Sequence, residues 1–206
     1  MTGQRIGVYG GTFDPVHIGH LAIAEEVRYA LRLDQVLFVP AAHQPLKGHA
    51  PGATPLQRLE MVRLACASNP AFAVSDLELR RPPPSYTRDT LVSLRQHLPP
   101  TSDLTLIIGA DAARDLPRWY RVHEILRMVY LVIVARPDHP FDLAELETRL
   151  PGVSLRTTLV DGPRLAVSST DLRLRLATHR PTRCQIPDAV LGYIRHHGLY
   201  LRDALA

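Results

Sequence analysis

Two histidines, His17 and His20, stand three residues apart at the end of Gly10-Gly11-Thr12-Phe13-Asp14-Pro15-Val16-His17-Ile18-Gly19-His20. At the start of a helix that spacing puts both imidazoles on one face, aimed at whatever sits over the preceding turn. Gly10 and Gly11 let a phosphate or sugar lie against the main chain where a Cβ would block it. Gly19 keeps the surface between the imidazoles low. Two imidazoles with backbone donors suit a reaction in which negative charge builds on a phosphoryl group, because preorganised donors stabilise that charge without reorganising. A lone histidine would read as a cap or a packed core group; the whole string reads as a nucleotide site.

A second string, Ser168-Ser169-Thr170-Asp171-Leu172-Arg173, has Ser and Thr where a helix begins. Such residues cap the helix. Their hydroxyls and the free N–H groups form a phosphate nest, and Arg173, one turn further along the same face, could reach phosphates bidentately. Other candidates carry two readings each. Thr87 lies near a helix N-terminus, where its hydroxyl could cap for about 1 kcal/mol or the N-terminus could hold a ligand carboxylate. Asp111, in Gly109-Ala110-Asp111 at a strand's end, could accept from ribose hydroxyls or cap a helix. Trp119, beside Tyr120, is a core anchor or a stacking plate for a flat ring, and the residues alone favour the core. Lys47 and Arg136 follow strands, so each is a phosphate partner or a surface charge.

The elements that must position these residues follow from periodicity. Ile6-Gly7-Val8-Tyr9, Val36 to Val39, Phe72 to Val74, Leu104 to Ile108 and Val129 to Ala135 read as buried strands. Between them, Ile23, Ala24, Val27, Ala30 and Leu31 recur at helical spacing, Thr54-Pro55 opens a second helix, and Leu91, Leu94 and Leu98 trace a third. Residues 142–161 predict a peripheral helix and a strand. Ile186-Pro187 opens a last helix through Val190, Leu191 and Ile194. Strands alternating with helices predict an α/β chain with a doubly wound, mostly parallel sheet. In such sheets ligands bind outside the carboxyl ends of the strands, where the candidate residues cluster, and helix N-termini there favour phosphates.

Composition narrows the classes. The 206 residues suit one domain spanning 1–206, with a helical C-terminal part from about 168 packed on it. A net charge of +4 is a modest excess, short of a nucleic-acid stripe. The two cysteines, Cys66 and Cys184, lack a zinc or disulfide spacing, which predicts a reducing, cytoplasmic setting. The longest apolar run, Met128 to Ala135, is too short to span a bilayer. No Walker-type loop occurs, and His17 and His20 lack a third metal ligand at diagnostic spacing.

Gly10 to His20 resembles the signature of the nucleotidyltransferase superfamily, a Thr-x-Phe-Asp-Pro stretch leading into His-x-Gly-His, which is similar also to class I aminoacyl-tRNA synthetases. Ser168 to Arg173 resembles the Ile-Ser-Ser-Thr-x-Ile-Arg string of bacterial nicotinate-nucleotide adenylyltransferases, unlike the Lys-Met-Ser-Lys-Ser type of the synthetases. Ser85-Tyr86-Thr87, Gly109-Ala110-Asp111, Trp119-Tyr120 and Tyr193 to Tyr200 are similar to that family in the same order. One departure is Gln44-Pro45-Leu46-Lys47, where the family has Pro-Pro-His-Lys/Arg; the basic residue matches and the histidine does not.

The resemblance implies a Rossmann-like nucleotidyltransferase fold and adenylyl transfer from ATP to nicotinate mononucleotide. It implies catalytic roles for His17, His20 and Arg173. ATP would be bound by Gly10, Gly11, Thr12, Phe13, His17, Gly19, His20, Lys47, Gly109, Asp111, Ser168, Ser169, Thr170 and Arg173. The mononucleotide would meet Thr87, Trp119, Tyr120 and Arg136. Mg2+ would ride on the ATP phosphates without a protein metal cage. Neither nucleic acid nor membrane is an expected partner, and homo-oligomerisation is left open. The rivals are an adenylyltransferase for nicotinamide mononucleotide or phosphopantetheine, and a non-catalytic nucleotide-binding protein.

Overall fold

Strand residues divide by parity between two faces of one sheet. Ile6 and Val8, Leu104, Leu106 and Ile108, and Leu131 and Ile133 join one buried cluster, while Tyr9, Ile107, Val132 and Val134 join another. Successive side chains of a strand point to opposite faces, so a run that is apolar throughout must be covered on both. The computed structural model describes residues 3–43, 51–135 and 141–201. Its elements run β1 (Arg5–Gly11), α1 (Ile18–Ala30), β2 (Gln35–Pro40), α2 (Pro55–Cys66), β3 (Phe72–Val74), α3 (Thr87–His97), β4 (Asp103–Gly109), α4 (Ala110–Arg114), α5 (Val122–Met128), β5 (Tyr130–Ala135), α6 (Leu143–Arg149), β6 (Thr157–Asp161), α7 (Ser169–Ala177) and α8 (Asp188–His196).

The six strands lie in the order β3-β2-β1-β4-β5-β6, every neighbouring pair parallel. Strand order reverses between β1 and β4, so their carboxyl ends flank the crevice in which such sheets bind ligands. α1, α2 and α8 cover one face through Ala24, Val27, Met61, Val62, Val190, Leu191 and Ile194, with Leu172 of α7 in the same cluster. The other face is covered by Leu91 and Leu94 of α3, Ala113 of α4, Ile125 of α5 and Leu146 of α6. No helix of the described residues is long and apolar enough to cross a membrane.

Two boundaries differ from the periodicity reading. β1 continues through Gly10 and Gly11, which pair with Val39 and Pro40. Both glycines therefore belong to the strand end and not to a turn, because a residue without a side chain still satisfies the ladder. The helix near residue 87 is capped by Tyr86 in extended conformation, with Thr87 as its first helical residue. Thr87 is thus not the cap.

The opening of α2 agrees with the sequence. Thr54 Oγ1 accepts from Gln57 N at 3.3 Å, and Gln57 Oε1 accepts from Thr54 N at 2.9 Å, a reciprocal capping box. Thr54→Ala leaves one of those N–H groups without its partner. It is expected to lower unfolding free energy by about 1 kcal/mol and the melting temperature by about 2–4 °C, with an unchanged urea m-value, checked by thermal and urea denaturation.

Candidate active site

His17 is the N-cap of α1 and is buried; His20 is its third helical residue. Their ring centroids are 3.8 Å apart with planes inclined at 32°, so the two imidazoles share one face, as the spacing predicts. The His17 N–H donates to His20 Nδ1 at 3.2 Å. An accepting Nδ1 leaves the proton of the neutral ring on Nε2. Phe13 packs edge-on against both His20 and Tyr9, with centroids at 5.1 and 5.6 Å. It adopts φ 50°, a region bulky residues avoid, and the turn holds it there. A Cβ on Gly11 would come within 2.8 Å of that ring, and one on Gly19 within 3.0 Å of the His17 ring. These two glycines make room for the neighbouring rings. Gly10 and Gly109 instead open onto free space at the ends of β1 and β4, which is where a ligand could approach the main chain. Phe13 is only 2 % exposed, so it offers a ligand backbone and not its ring.

α7 closes on the same turn. Arg173 Nη1 donates to the Asp14 carbonyl oxygen at 2.7 Å, and Ser169 Oγ donates to the Pro15 carbonyl oxygen at 2.9 Å. Ser168 Oγ accepts from Asp171 N at 3.2 Å as N-cap, and Thr170 Oγ1 accepts from Arg173 Nη2 at 3.4 Å. The serine hydroxyls expected to line a phosphate nest are therefore occupied as cap and tether. What α7 still presents is its first N–H groups, which the helix cannot bond, and the Arg173 guanidinium.

Two buried charges that the motif reading passed over hold these loops. Arg58, fully buried in α2, donates to the carbonyl oxygens of Thr12 at 2.7 Å, Ala42 at 3.2 Å and Ala53 at 3.3 Å. Burial lowers its pKa, opposed by Asp14, Tyr200 and Glu78. Asp14, 4 % exposed, accepts from Gly52 N at 2.8 Å, Ala53 N at 3.1 Å and the Tyr200 hydroxyl at 2.7 Å. Asp14 is legible only as part of a motif, and Arg58 only as one of several polar residues of its helix, beside Gln57, Glu60 and Arg63.

Across the crevice, Thr87 begins α3, where its backbone N–H has no helical partner. Tyr86 stacks on Tyr120 with centroids 4.6 Å apart. Trp119 is half-buried against the second core cluster, which fits the core reading of its side chain and leaves part of it exposed. Glu124 of α5 ties that helix to α3, accepting from Arg88 Nε at 2.8 Å and from Arg121 Nη1 at 2.9 Å. Those arginines, Arg88 first, hold its carboxyl below the usual range. Asp111 lies in the first turn of α4 with its side chain 95 % exposed and paired to Arg114 at 2.8 Å. It is not the helix cap, a place Gly109 takes. Lys47 and Arg136 lie outside the described residues. Among the described residues, no group of three or more His, Cys, Asp or Glu side chains is arranged to hold a metal ion.

Residues 8–175 match the family described as cytidylyltransferase-like. A protein of Roseiflexus sp. (strain RS-1), called a probable nicotinate-nucleotide adenylyltransferase, is 54% identical over 200 residues, spanning 97% of this chain and 100% of its own. A protein of the same name from Herpetosiphon aurantiacus is 45% identical over 199 residues, spanning 96% and 99%. Among solved structures, a Plasmodium falciparum nicotinic acid mononucleotide adenylyltransferase complexed with NaAD matches with TM-score 0.78 and 19% identity over 96% of this chain and 97% of that one. At that identity the likeness speaks for the fold.

Glu78 provides a pH test of the loop network. It is buried, accepts from Thr90 Oγ1 at 2.7 Å, and has a carboxyl raised by burial against the opposing pull of Thr90, Ser85, Arg81 and Arg58. A carboxyl whose folded pKa exceeds its unfolded value binds more protons when folded, so its contribution is present at low pH and is lost as pH rises through the folded pKa. Glu78→Gln is therefore expected to gain stability relative to wild type as pH rises above the ordinary carboxyl range of about 4, read from paired urea titrations. A stability difference, variant minus wild type, that falls or stays constant as pH rises would contradict the assignment.

Proposed function

The chain belongs to the cytidylyltransferase-like family, and we propose that it transfers the adenylyl group of ATP to nicotinate mononucleotide, giving nicotinate adenine dinucleotide and pyrophosphate in NAD biosynthesis. The observation that carries this reading is the 54% identity over 97% of the chain to a relative of that name. The geometry is compatible with it: nucleotide-type donors on one side of the crevice, aromatic rings and a helix N-terminus on the other.

In this reading an oxygen of the mononucleotide phosphate attacks the α-phosphorus of ATP, the bond from that phosphorus to the bridging oxygen breaks, and pyrophosphate leaves with the electron pair. A phosphomonoester has a second pKa of about 6 and is largely ionised near neutrality, so the attacking oxygen needs little help from a base. The protein's task is to orient the two phosphates and neutralise charge. His17, His20 and Arg173 are the groups proposed to do so, His20 through Nε2–H. The backbone of Gly10, Gly11, Thr12 and Phe13, with the N–H groups of Ser169 and Thr170, would line the triphosphate, and Lys47 would add a charge. Ser168 and Gly19 act by shaping the turn. Gly109 and Asp111 are proposed for the adenosine side, the exposed Asp111 carboxylate accepting from ribose hydroxyls. Mg2+ enters as a companion of the ATP substrate. That fits a site whose nearby carboxylate, Asp14, is buried and occupied by N–H and O–H donors.

For the mononucleotide, the exposed part of Trp119 would stack on the pyridine ring, while the N–H groups at Thr87 and Tyr120 meet its carboxylate; Arg136 is proposed for its phosphate. Initial rates of pyrophosphate release with nicotinate mononucleotide, nicotinamide mononucleotide and phosphopantetheine in parallel test the assignment, and the first is expected to be fastest. A clear preference for phosphopantetheine would overturn it. Trp119→Ala should raise KM for the mononucleotide about tenfold or more while leaving that for ATP nearly unchanged. His20→Ala should lower kcat by a factor on the order of 100 with little change in melting temperature; a collapse of stability would make His20 a packing residue instead.

A further inference from the structure

The turn at Tyr200 reaches back to the first motif. Tyr200, buried and at φ 64°, donates its hydroxyl to Asp14 Oδ1 at 2.7 Å across 186 residues of sequence. The same carboxylate accepts from Gly52 N on Oδ2 and Ala53 N on Oδ1. Arg173 stands beside it without closing a pair: Nη1 is 3.7 Å from Asp14 Oδ2 and donates instead to the Asp14 carbonyl oxygen at 2.7 Å. Its other arm reaches Thr170 Oγ1 only at 3.4 Å. A guanidinium next to a carboxylate ordinarily forms a two-bond fork with it. Here the oxygens are already held by three other donors.

We propose that Tyr200 is a positioning residue for Arg173: by donating to Asp14 Oδ1 it takes up part of the carboxylate charge that would otherwise draw the guanidinium at Oδ2 into a closed pair, and so keeps the remaining Arg173 N–H groups available to the ATP phosphates. The inference rests on the ATP role given to Arg173 above. The hydroxyl is suited to this task. Burial first, and the neighbouring Asp14 charge second, raise its pKa far above that of a free phenol, so it remains a donor at neutral pH. The backbone donors from Gly52 and Ala53 cannot substitute for it, because each is already committed to the carboxylate.

Tyr200→Phe keeps the ring and removes only the donor. ATP KM, and ATP Kd by calorimetry, are expected to rise about tenfold, with the mononucleotide KM changed less than twofold. The same substitution in an Arg173→Ala background is expected to add nothing to ATP KM, because the group through which it acts is gone. Equal affinity in Tyr200→Phe and wild type, parallel increases in both KM values, or an undiminished effect in the Arg173→Ala background would each overturn the proposal. Should Tyr200→Phe fail to fold, Asp14→Asn/Tyr200→Phe removes the attracting charge as well; its ATP Kd is expected to equal that of Asp14→Asn alone, and a further rise would count against the proposal. A wild-type chain that binds ATP yet releases no pyrophosphate with nicotinate mononucleotide would defeat the functional reading, and the calorimetric comparison would still decide the role of Tyr200.

Discussion

The Asp14 carboxylate is the constraint on which the site's shape depends. A buried charge of this kind is costly unless every lone pair finds a donor, and removing one partner of a buried ionic cluster typically costs about 3–5 kcal/mol. Asp14 meets that requirement by gathering donors from remote parts of the chain: Gly52 and Ala53 from the segment before α2, and Tyr200 from the tail. Arg58 does the converse. It satisfies three carbonyl oxygens that loops leave unpaired, on Thr12, Ala42 and Ala53. Ala53 takes part in both arrangements, through its N–H to Asp14 and its carbonyl to Arg58. Together the two charges fix the chain just beyond β1 and β2, where the backbone would otherwise have no ladder to follow.

Apolar packing does a different job. Each buried Leu, Ile or Val contributes about 1.5–3 kcal/mol, and the two clusters on either face of the sheet supply most of the driving force for folding. That force is non-directional. It brings the strand ends together at the crevice between β1 and β4, but it does not set a loop to within a few tenths of an ångström. Hydrogen bonds with narrow distance and angle preferences do so. Hence the polar network concentrates at the carboxyl ends of the strands, while the opposite requirement, bare backbone for a ligand, is met at Gly10 and Gly109, where no atom of the described residues crowds a Cβ position.

Much of this architecture was legible in the residues. Strand positions and the alternating helices followed from apolar runs, the Thr54 cap from a threonine before a proline, and the pairing of His17 with His20 from their spacing, which the ring separation of 3.8 Å matches. The misreadings have a common cause. Hydroxyls at a helix start can face a ligand or serve the fold, and letters alone do not choose; Ser168 and Ser169 serve the fold. Gly19 was read as lowering a ligand surface, whereas its missing Cβ accommodates the His17 ring. Arg58 and Glu124 carry no signal in the sequence, and Tyr200 only a family likeness without a role, because their partners lie far away in sequence or are backbone carbonyls, which carry no residue identity. The Glu124 bridge to Arg88 spans 36 residues, and the Tyr200 contact 186.

Because the α7 hydroxyls are engaged in holding the helix, an anion over the turn must be met by backbone N–H groups and by Arg173. Both depend on how α7 is seated. Its seat is the carbonyl oxygens of Asp14 and Pro15, and the carboxylate of that same Asp14 is held by the tail. The strand-to-helix turn of residues 10–20 is local in sequence, yet its partner surface is assembled from residues more than 150 positions away. The seat of α7 on that turn is accordingly a property of the whole fold. Asp14 and Tyr200 must meet before α7 is seated on the turn that carries the histidine pair, and the buried carboxylate makes that meeting specific, since an apolar contact in its place would tolerate more than one arrangement.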